Sequence, residues 1–393
     1  MLEFDHIIAP LTRAQFFADY WNKSFLFKKG EAGRFNHLFS WEELNKVLEQ
    51  HRLSPPRFRL TQEGRTLDPL RYMSPGAGGL PQLNSGKFAA CLADGATLVL
   101  DCVEELAPNV RKLATSFRDA LHAGCYVNLY AGWHDQHGLD LHWDSQEIMV
   151  LQLQGRKRWQ IYEHTRAYPL QEDIEVPPKP ATPPAWEGTM EAGDMLYVPR
   201  GWWHVAFPQG EPSLHLTVAS VPPHGMDLLQ WLIGRLRRHE AVRVDLPQLG
   251  DVRGQKSYLK ALRSLLTEAL AESAIEEFRH EWEGDLRPQP SITLPDMPYV
   301  QHEALGDKHQ IRLAAAHHLH FAANGPTMEF KAGGVLWSGL PSDLVPALEL
   351  LSDTRAVGFA ELCARLTSDA QRAHLRHAIS ALARAGVVLV EKQ

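Results

Sequence analysis

Cysteine is scarce: four in 393 residues, Cys91, Cys102, Cys125 and Cys363, none close to another. That scatter excludes a disulfide framework and every zinc-type spacing, and it fits a reducing compartment. No apolar run approaches the roughly 20 residues a membrane helix needs. The opening Met1-Leu-Glu-Phe-Asp-His6 has neither a basic nor an apolar region of the kind a secretory signal carries. A cytoplasmic protein that makes no membrane contact is therefore expected. Positive charge is also in short supply, with 40 Lys and Arg against 47 Asp and Glu, a net of -7. Such a balance gives no global footprint for nucleic acid, so a nucleic-acid partner is not expected. What is present is 44% hydrophobic residues on a chain long enough for two or three domains.

Up to about residue 110 the pattern is of short helices and loops. Thr12 caps a helical run to Trp21, and Ser40-Trp-Glu-Glu43 has the form of a capping box opening the next helix. Residues 111–122 form another helical run. From about 124 to 221 the pattern turns to short strands and turns. Cys125–Tyr130, Ile148–Leu153, Arg156–Tyr162, Met195–Val198 and Ser213–Ala219 read as strands. Gln154-Gly155 reads as a turn, with Arg156–Tyr162 alternating as a hairpin partner to Ile148–Leu153. The proline-rich Val176–Pro184 cannot be a central strand and reads as a surface connection. From Met226 the period is helical: Leu228–Leu236, then a long run from Ser257 through Trp282 with Leu259, Leu262, Leu265 and Leu266 on one side. Arg287-Pro-Gln-Pro290 reads as a linker. In the last ninety residues, 345–351, 359–366 and 370–385 read as helices and Gly386–Val390 as a strand.

Within the strand-rich region, three residues form a constellation with chemical meaning. His142 and Asp144 stand in Leu141-His-Trp-Asp-Ser145, and His204 closes Tyr197-Val-Pro-Arg-Gly-Trp-Trp-His204. Alternation along a strand would point His142 and Asp144 the same way and Trp143 the other. His-x-Asp with a distant His is the ligand set of a 2-His-1-carboxylate triad, which holds iron on one face and leaves positions open. The Glu191-Ala-Gly-Asp194 turn, the strand Met195–Val198 and the Pro199-Arg-Gly201 turn fit the mouth of a small antiparallel barrel. His134 and His137 form His-x-x-His nearby; the polar, glycine-bounded setting from Gly132 to Gly138 puts them in a loop, with a role at the mouth rather than on a metal. Lys157 shares strand parity with Trp159 and Ile161. It either faces inward with them or is a solvated lysine between Arg156 and Arg158.

These motifs resemble the JmjC-type cupin oxygenases, in particular the ribosomal protein hydroxylases with a C-terminal winged helix. The stretches that carry the resemblance are Val127-Asn-Leu-Tyr130, His142-Trp-Asp144 with Val150–Tyr162, and Gly193–His204 with Leu214-His-Leu-Thr217. It implies an α+β fold: a double-stranded β-helix (cupin/JmjC jelly roll) with helical additions, a helical dimerisation segment and a winged helix. The boundaries would be 1–225 for the catalytic domain (barrel core about 124–221), 226–300 for the helical segment and 301–393 for the winged helix. It further implies Fe(II), with 2-oxoglutarate and O2 as cosubstrates, and hydroxylation of a protein side chain, arginine or histidine of a ribosomal protein, by a homodimer.

By motif position His142, Asp144 and His204 match the iron ligands. Lys157 matches the residue that binds the far carboxylate of 2-oxoglutarate, and Asn128, Tyr130 and Thr217 match pocket positions. A carboxylate in a partly dry barrel needs a cation, because an unpaired buried charge is costly. His215 shares parity with Thr217 and reads as a satisfied core histidine rather than a fourth ligand. The loop from Ala131 to Gly138 is more polar and histidine-rich than this resemblance leads one to expect. The winged helix carries a small basic face at Arg372, Arg376 and Arg384, yet residues 301–393 hold nine Lys or Arg against nine Asp or Glu. Packing or substrate docking is the expected role there. Two rival readings remain at this point: a non-enzymatic ligand- or nucleic-acid-binding regulatory protein, and a metal cupin acting on a small molecule.

Overall fold

The computed structural model describes residues 3–171, 173, 177–286, 292–294, 305–314, 319–351 and 355–392. The chain divides into two compact units, Met1–Pro222 and Pro223–Gln393. No described helix is long and apolar enough to cross a membrane.

The first unit is built on two antiparallel sheets. The larger contains strands β1 (Leu26–Lys28), β2 (Phe58–Gln62), β3 (Arg65–Thr66), β6 (Thr97–Leu100), β7 (Gly124–Gly132), β8 (Glu147–Gln154), β11 (Met195–Val198) and β13 (Ser213–Val221), in the order β1-β11-β8-β13-β7-β6-β2-β3. The smaller contains β9 (Lys157–Tyr162), β10 (Trp186–Met190) and β12 (Trp203–Pro208), with β9 central. Strands β4 (Met73–Pro75) and β5 (Pro81–Leu83) pair apart.

Both faces of the large sheet are covered, which explains why β8 and β13 are buried almost end to end. On one face Val127, Leu129, Met149, Leu151, Met195, Leu214, Leu216 and Val218 pack into a core with residues of helices α1 (Glu3–Ile8), α2 (Arg13–Asp19), α3 (Trp41–Gln50), α4 (Ser85–Ala93) and α5 (Pro108–Leu121). On the other, Ile148, Val150, Leu196, Val198 and Ala219 meet Trp159, Ile161 and Met190 of the small sheet. The period of two along each strand thus sorts alternate residues into different cores.

Several helices begin where the capping chemistry puts them. The Thr12 hydroxyl accepts from the Gln15 backbone N–H and the Gln15 side chain reaches back to Thr12, a complete capping box. Ser40 likewise accepts from the Glu43 N–H.

Three expectations change in this unit. Residues 1–110 are not only helices and loops: they supply β1, β2, β3 and β6 to the large sheet. Ile148–Leu153 and Arg156–Tyr162 are not hairpin partners. β8 pairs with β11 and β13, whereas β9 pairs with β10 and β12. The turn is real, with Gly155 at φ 67 and its backbone so close to Pro212 that a Cβ would stand 2.0 Å from that carbonyl oxygen, but it carries the chain from one sheet to the other. Alternation marks a strand and its inward face; it does not name the neighbour. His142 and Asp144 do not lie on a regular strand. His142 makes an isolated antiparallel bridge with His204 (His204 N–H to His142 O, 2.7 Å; His142 N–H to His204 O, 3.2 Å), and Trp143 and Asp144 are irregular. His204 itself is delivered by β12, the strand after the Pro199–Gly201 turn.

In the second unit α6 (Gly225–Leu236) is followed by α7 (Val252–Ala269) and α8 (Ala274–Asp285). The expected long run through Trp282 is broken between Ala269 and Ala274, where the Leu270 N–H bonds back to Leu266. The expected linker at 287–290 lies outside the described residues. Further on, β14 (His309–Leu313) pairs with β18 (Val357–Gly358) and β19 (Val388–Lys392). A meander of β15 (Ala322–Asn324), β16 (Thr327–Ala332) and β17 (Val335–Pro341) was not anticipated. The three expected helices are α9 (Val345–Leu348), α10 (Phe359–Cys363) and α11 (Asp369–Arg384).

The Glu191–Asp194 turn locks β11 in register. Asp194 is fully buried and accepts from the Gly30 and Glu191 N–H groups, each at 2.8 Å. Gly193 adopts φ 97, and a Cβ there would stand 2.0 Å from the Glu31 oxygen. Gly193→Ala is expected to destabilise the first unit by at least about 2 kcal/mol, from left-handed strain and the clash together. Urea unfolding followed by tryptophan fluorescence checks this, because the cost lowers the midpoint.

Candidate metal centre

The residues facing inward from the two sheets enclose a cavity of about 480 Å³ including its mouth. Its walls include Tyr130 of β7, Ile148 of β8, Lys157 and Trp159 of β9, His204 and Ala206 of β12, and His215 and Thr217 of β13, with His142 and Asp144 at the loop end.

His142, Asp144 and His204 converge there, with a ligand atom of each within 4.8 Å of the others. His142 Nε2 lies 3.9 Å from Asp144 Oδ1, and His204 Nε2 lies 3.5 Å from Asp144 Oδ2. A metal with bonds of ~2.1 Å sets neighbouring ligand atoms about 3 Å apart, so a small inward closure suits this set. The tautomers are settled by the backbone. His142 Nδ1 donates to the Asp140 carbonyl at 2.7 Å and His204 Nδ1 to the Trp202 carbonyl at 3.2 Å, leaving both Nε2 lone pairs aimed inward. Burial, then the neighbouring His142, pushes the His204 pKa down to about 4, so its imidazole is neutral and ready to ligate. His204 is buried, whereas His142 and Asp144 are each about one-third exposed (35% and 33%), which leaves one side of the set open.

Two segments far apart in sequence are clamped to make this set. Besides the His142–His204 bridge, the Gly201 N–H donates to the Asp144 carbonyl at 2.9 Å. Behind the wall, the Tyr197 hydroxyl donates to the buried Glu147 carboxyl at 2.5 Å and accepts from the Asn22 N–H at 3.0 Å. Burial pushes the Glu147 pKa up to about 7. Trp21 stacks on Tyr197 with centroids 5.8 Å apart and Phe16 meets it edge-on at 5.0 Å. These contacts fix the strand ends from which both ligand-bearing segments leave. Sequence reading missed them, since Glu147 and Tyr197 are fifty residues apart and nothing in the Tyr197–His204 motif points to Glu147 as its partner.

Lys157 faces inward, in parity with Trp159 and Ile161, and is 6% exposed. No carboxylate pairs it among the described residues. Its ammonium lies 5.9 Å from the Tyr130 ring centroid, and burial pushes its pKa down to about 7. Tyr130 stacks face to face on His215 at 4.9 Å, and burial raises the pKa of its phenol. His215 is not the satisfied core histidine expected: its Nδ1 is buried with no hydrogen-bond partner, and it lines the cavity. Burial, then the Lys157 charge, holds its pKa well below the ordinary range. Thr217 lines the cavity as well. Asn128 does not; it stands behind Tyr130 and accepts from the Cys102 N–H at 3.3 Å. His134 is exposed and His137 is bound to Asp140 at 2.9 Å, so neither joins the cluster.

With this geometry in place, comparison with known proteins is informative. Residues 106–228 match a family model described as the JmjC domain. The chain carries a JmjC domain. It is 28% identical over 228 residues to the bifunctional lysine-specific demethylase and histidyl-hydroxylase NO66 of Drosophila persimilis, covering 54% of this chain and 31% of that one. It is 28% identical over 232 residues to ribosomal oxygenase 1 of Rattus norvegicus, covering 55% and 36%. The chain thus spans about a third of the length of these curated relatives. Among solved structures, Escherichia coli YcfD superposes with a TM-score of 0.60 at 18% identity, over 97% of this chain and 99% of that one. YcfD has also been solved as a ribosomal oxygenase in complex with cobalt and 2-oxoglutarate (TM-score 0.60, 17% identity, coverage 97% and 98%). At such identity the likeness establishes the fold: a JmjC cupin-type arrangement of antiparallel sheets with added helices.

Two outcomes follow from the site. Asp144→Ala removes the carboxylate lying between the imidazoles, and cobalt titration followed by its visible spectrum is expected to show affinity falling at least ~100-fold, with the melting temperature of the apo protein little changed. Lys157→Met removes an ammonium that the fold destabilises. With a folded pKa of about 7 against an ordinary 10.5, the penalty is present in full below about pH 7 and fades as pH rises to 10.5, because the unfolded chain holds the proton longer. The variant is expected to melt higher than the natural protein at pH 7, with the gap narrowing at pH 9.

Proposed function

We propose that this protein is an Fe(II)- and 2-oxoglutarate-dependent oxygenase that hydroxylates a protein side chain, an arginine or histidine of a ribosomal protein. The observation that carries the reading is the pairing, in one cavity, of an open His-Asp-His donor set with a buried ammonium that has no carboxylate partner among the described residues. A structural metal site would close its coordination sphere with protein ligands, and a plain apolar pocket has no use for Lys157.

In this reading His142, Asp144 and His204 hold Fe(II), and the metal supplies oxygen activation coupled to oxidative decarboxylation of 2-oxoglutarate to succinate. The chain's own residues do the rest. Lys157 meets the far carboxylate, replacing the water both charges lose on burial. Tyr130 and Thr217 line the same space and would offer their hydroxyls to the cosubstrate, with Asn128 supporting Tyr130. Trp159 and Ile148 keep the inner end dry. The open side, between His142 and Asp144, admits the substrate side chain.

The remainder of the chain fits the same picture. Residues 226–300 would form a helical dimerisation segment, because α6 and α7 leave Leu229, Ile233, Leu259 and Leu266 exposed. Residues 301–393 would form a winged helix, with α9, α10 and α11 followed by β19 in the wing. Its basic face is mostly engaged: Arg376 donates to the Leu305 carbonyl at 3.1 Å and Arg372 binds Asp369 at 2.8 Å. That favours packing over nucleic-acid contact by this unit's recognition helix.

The test is succinate release from 2-oxoglutarate with Fe(II), O2 and purified ribosomes. Ribosome-stimulated turnover that disappears in Asp144→Ala is expected. In Lys157→Met the KM for 2-oxoglutarate is expected to rise at least ~30-fold, about 2 kcal/mol of lost charge pairing, with cobalt affinity retained. No turnover from protein shown to hold iron would overturn the reading.

A further inference from the structure

One polar atom in the cavity wall stands without a partner. His215 is 2% exposed, and its Nδ1 meets no hydrogen-bond partner among the described residues. β13 places His215 opposite Tyr130 of β7 on one side and Gln152 of β8 on the other. Residues so opposed have Cβ atoms about 5 Å apart, close enough for rings to meet. The imidazole lies face to face on Tyr130 (centroids 4.9 Å apart, 10° between planes), and Trp159 meets it edge-on (5.7 Å, 71°). Packed on two sides, the ring keeps one orientation. Gln152 does not answer Nδ1. Its amide nitrogen donates to the Gln154 carbonyl at 2.8 Å and the Ser213 hydroxyl at 3.0 Å, which fixes the amide, and its oxygen too has no hydrogen-bond partner. A phenyl ring would stack on Tyr130 equally well, whereas a buried nitrogen without a partner destabilises the fold. Lys157 is near enough for its charge to add to the effect of burial in holding the imidazole neutral. A neutral imidazole carries one N–H.

We propose that His215 is a second anchor for the far carboxylate of the cosubstrate, its Nδ1–H donating to one oxygen while Lys157 meets the charge. This rests on the oxygenase reading above and adds a residue to it. A carboxylate offers two oxygens with about four lone-pair sites. One ammonium cannot fill them, and lone pairs left unmet in a buried site weaken binding. His215 stands in the wall beside Lys157, Tyr130 and Thr217, and its stacking aims a further donor without the entropy loss a flexible side chain would bring. The gain is mutual. The carboxylate acquires a donor, and Nδ1 acquires the partner that the described protein groups do not give it. A hydrogen bond to an ion is also stronger than one to a neutral group, so the pair favours a 2-oxo acid ending in a carboxylate over one ending in a methyl group. The rival partner for Nδ1 is the Gln152 oxygen across the strand, which would make His215 a residue of the core alone.

The test titrates two ligands into the full-length, cobalt-loaded protein and follows the visible spectrum of the metal. 2-Oxoglutarate carries the far carboxylate; 2-oxobutyrate presents the same keto acid to the metal and ends in a methyl group. The natural chain is expected to bind 2-oxoglutarate the more tightly. His215→Phe keeps the stack on Tyr130 and removes the N–H. It should bind 2-oxoglutarate at least ~10-fold more weakly, the worth of a hydrogen bond to an ion, and 2-oxobutyrate as the natural chain does. His215→Asn, whose amide nitrogen falls near the place of Nδ1, should stay within about threefold of the natural chain. His215→Gln, which puts its amide near the place of Nε2, should lose affinity as the phenylalanine variant does, and it serves if that variant does not fold. In turnover the loss should appear in KM for 2-oxoglutarate and not in kcat. Without ligand, His215→Phe should melt no lower than the natural chain. Unchanged 2-oxoglutarate affinity in the phenylalanine and glutamine variants, an equal loss for both keto acids, or a loss in His215→Asn as large as in His215→Phe would each overturn the proposal. A natural chain that binds the two keto acids equally would instead count against the cosubstrate reading itself.

Discussion

The cavity is organised around one unbalanced charge. Lys157 points into a space walled by Tyr130, His215 and Trp159, where an ammonium is poorly solvated and no carboxylate among the described residues answers it. Such a group is a liability to the folded state, and it is tolerated where an incoming anion completes it. The inward set of polar residues on β7, β9 and β13 makes sense in that light: in the proposed reading they would form one half of a binding site for which the ligand supplies the other half.

That arrangement depends on the large sheet being covered on both faces. Val127, Met149, Tyr197 and Leu216 look outward into a helical core, and Tyr126, Ile148, Val198 and Thr217 look inward. The outer packing is what makes the inner geometry firm. Phe16, Trp21 and Asn22 hold Tyr197, Tyr197 holds Glu147, and from the ends of those two strands leave the segments bearing Asp144 and His204. A buttress of aromatic packing and short hydrogen bonds on one side of a strand thereby sets the spacing of metal-binding atoms on the other.

The donor set was legible in the sequence because its chemistry is written in residue types: a His-x-Asp and a later His among strand signals, and a lysine in parity with Trp159 and Ile161. His142, Asp144 and His204 come together in the structure, although the strand invoked to align the first two proved to be a single bridge. Pairing was much less legible. β8 and β9 look like a hairpin because turn and alternation are local properties, while membership of a sheet is decided by tertiary packing. Asn128 shares parity with Tyr130 yet stands outside the cavity, since parity gives a face and not a depth. The strands before residue 110 escaped notice for a related reason: β2 and β6 are short, and their register is fixed by neighbours distant in sequence.

The central claim, that this cavity transfers oxygen to a ribosomal protein, is tested most directly by following the oxygen atom. Ribosomes would be incubated with the protein, Fe(II), 2-oxoglutarate and isotopically heavy O2, and the intact ribosomal proteins weighed by mass spectrometry, with Asp144→Ala as the control. The account predicts that one ribosomal protein gains the mass of a single heavy oxygen, on an arginine or histidine, only with the natural chain. A gain of ordinary oxygen drawn from water, or succinate formation with every ribosomal protein unchanged, would contradict it.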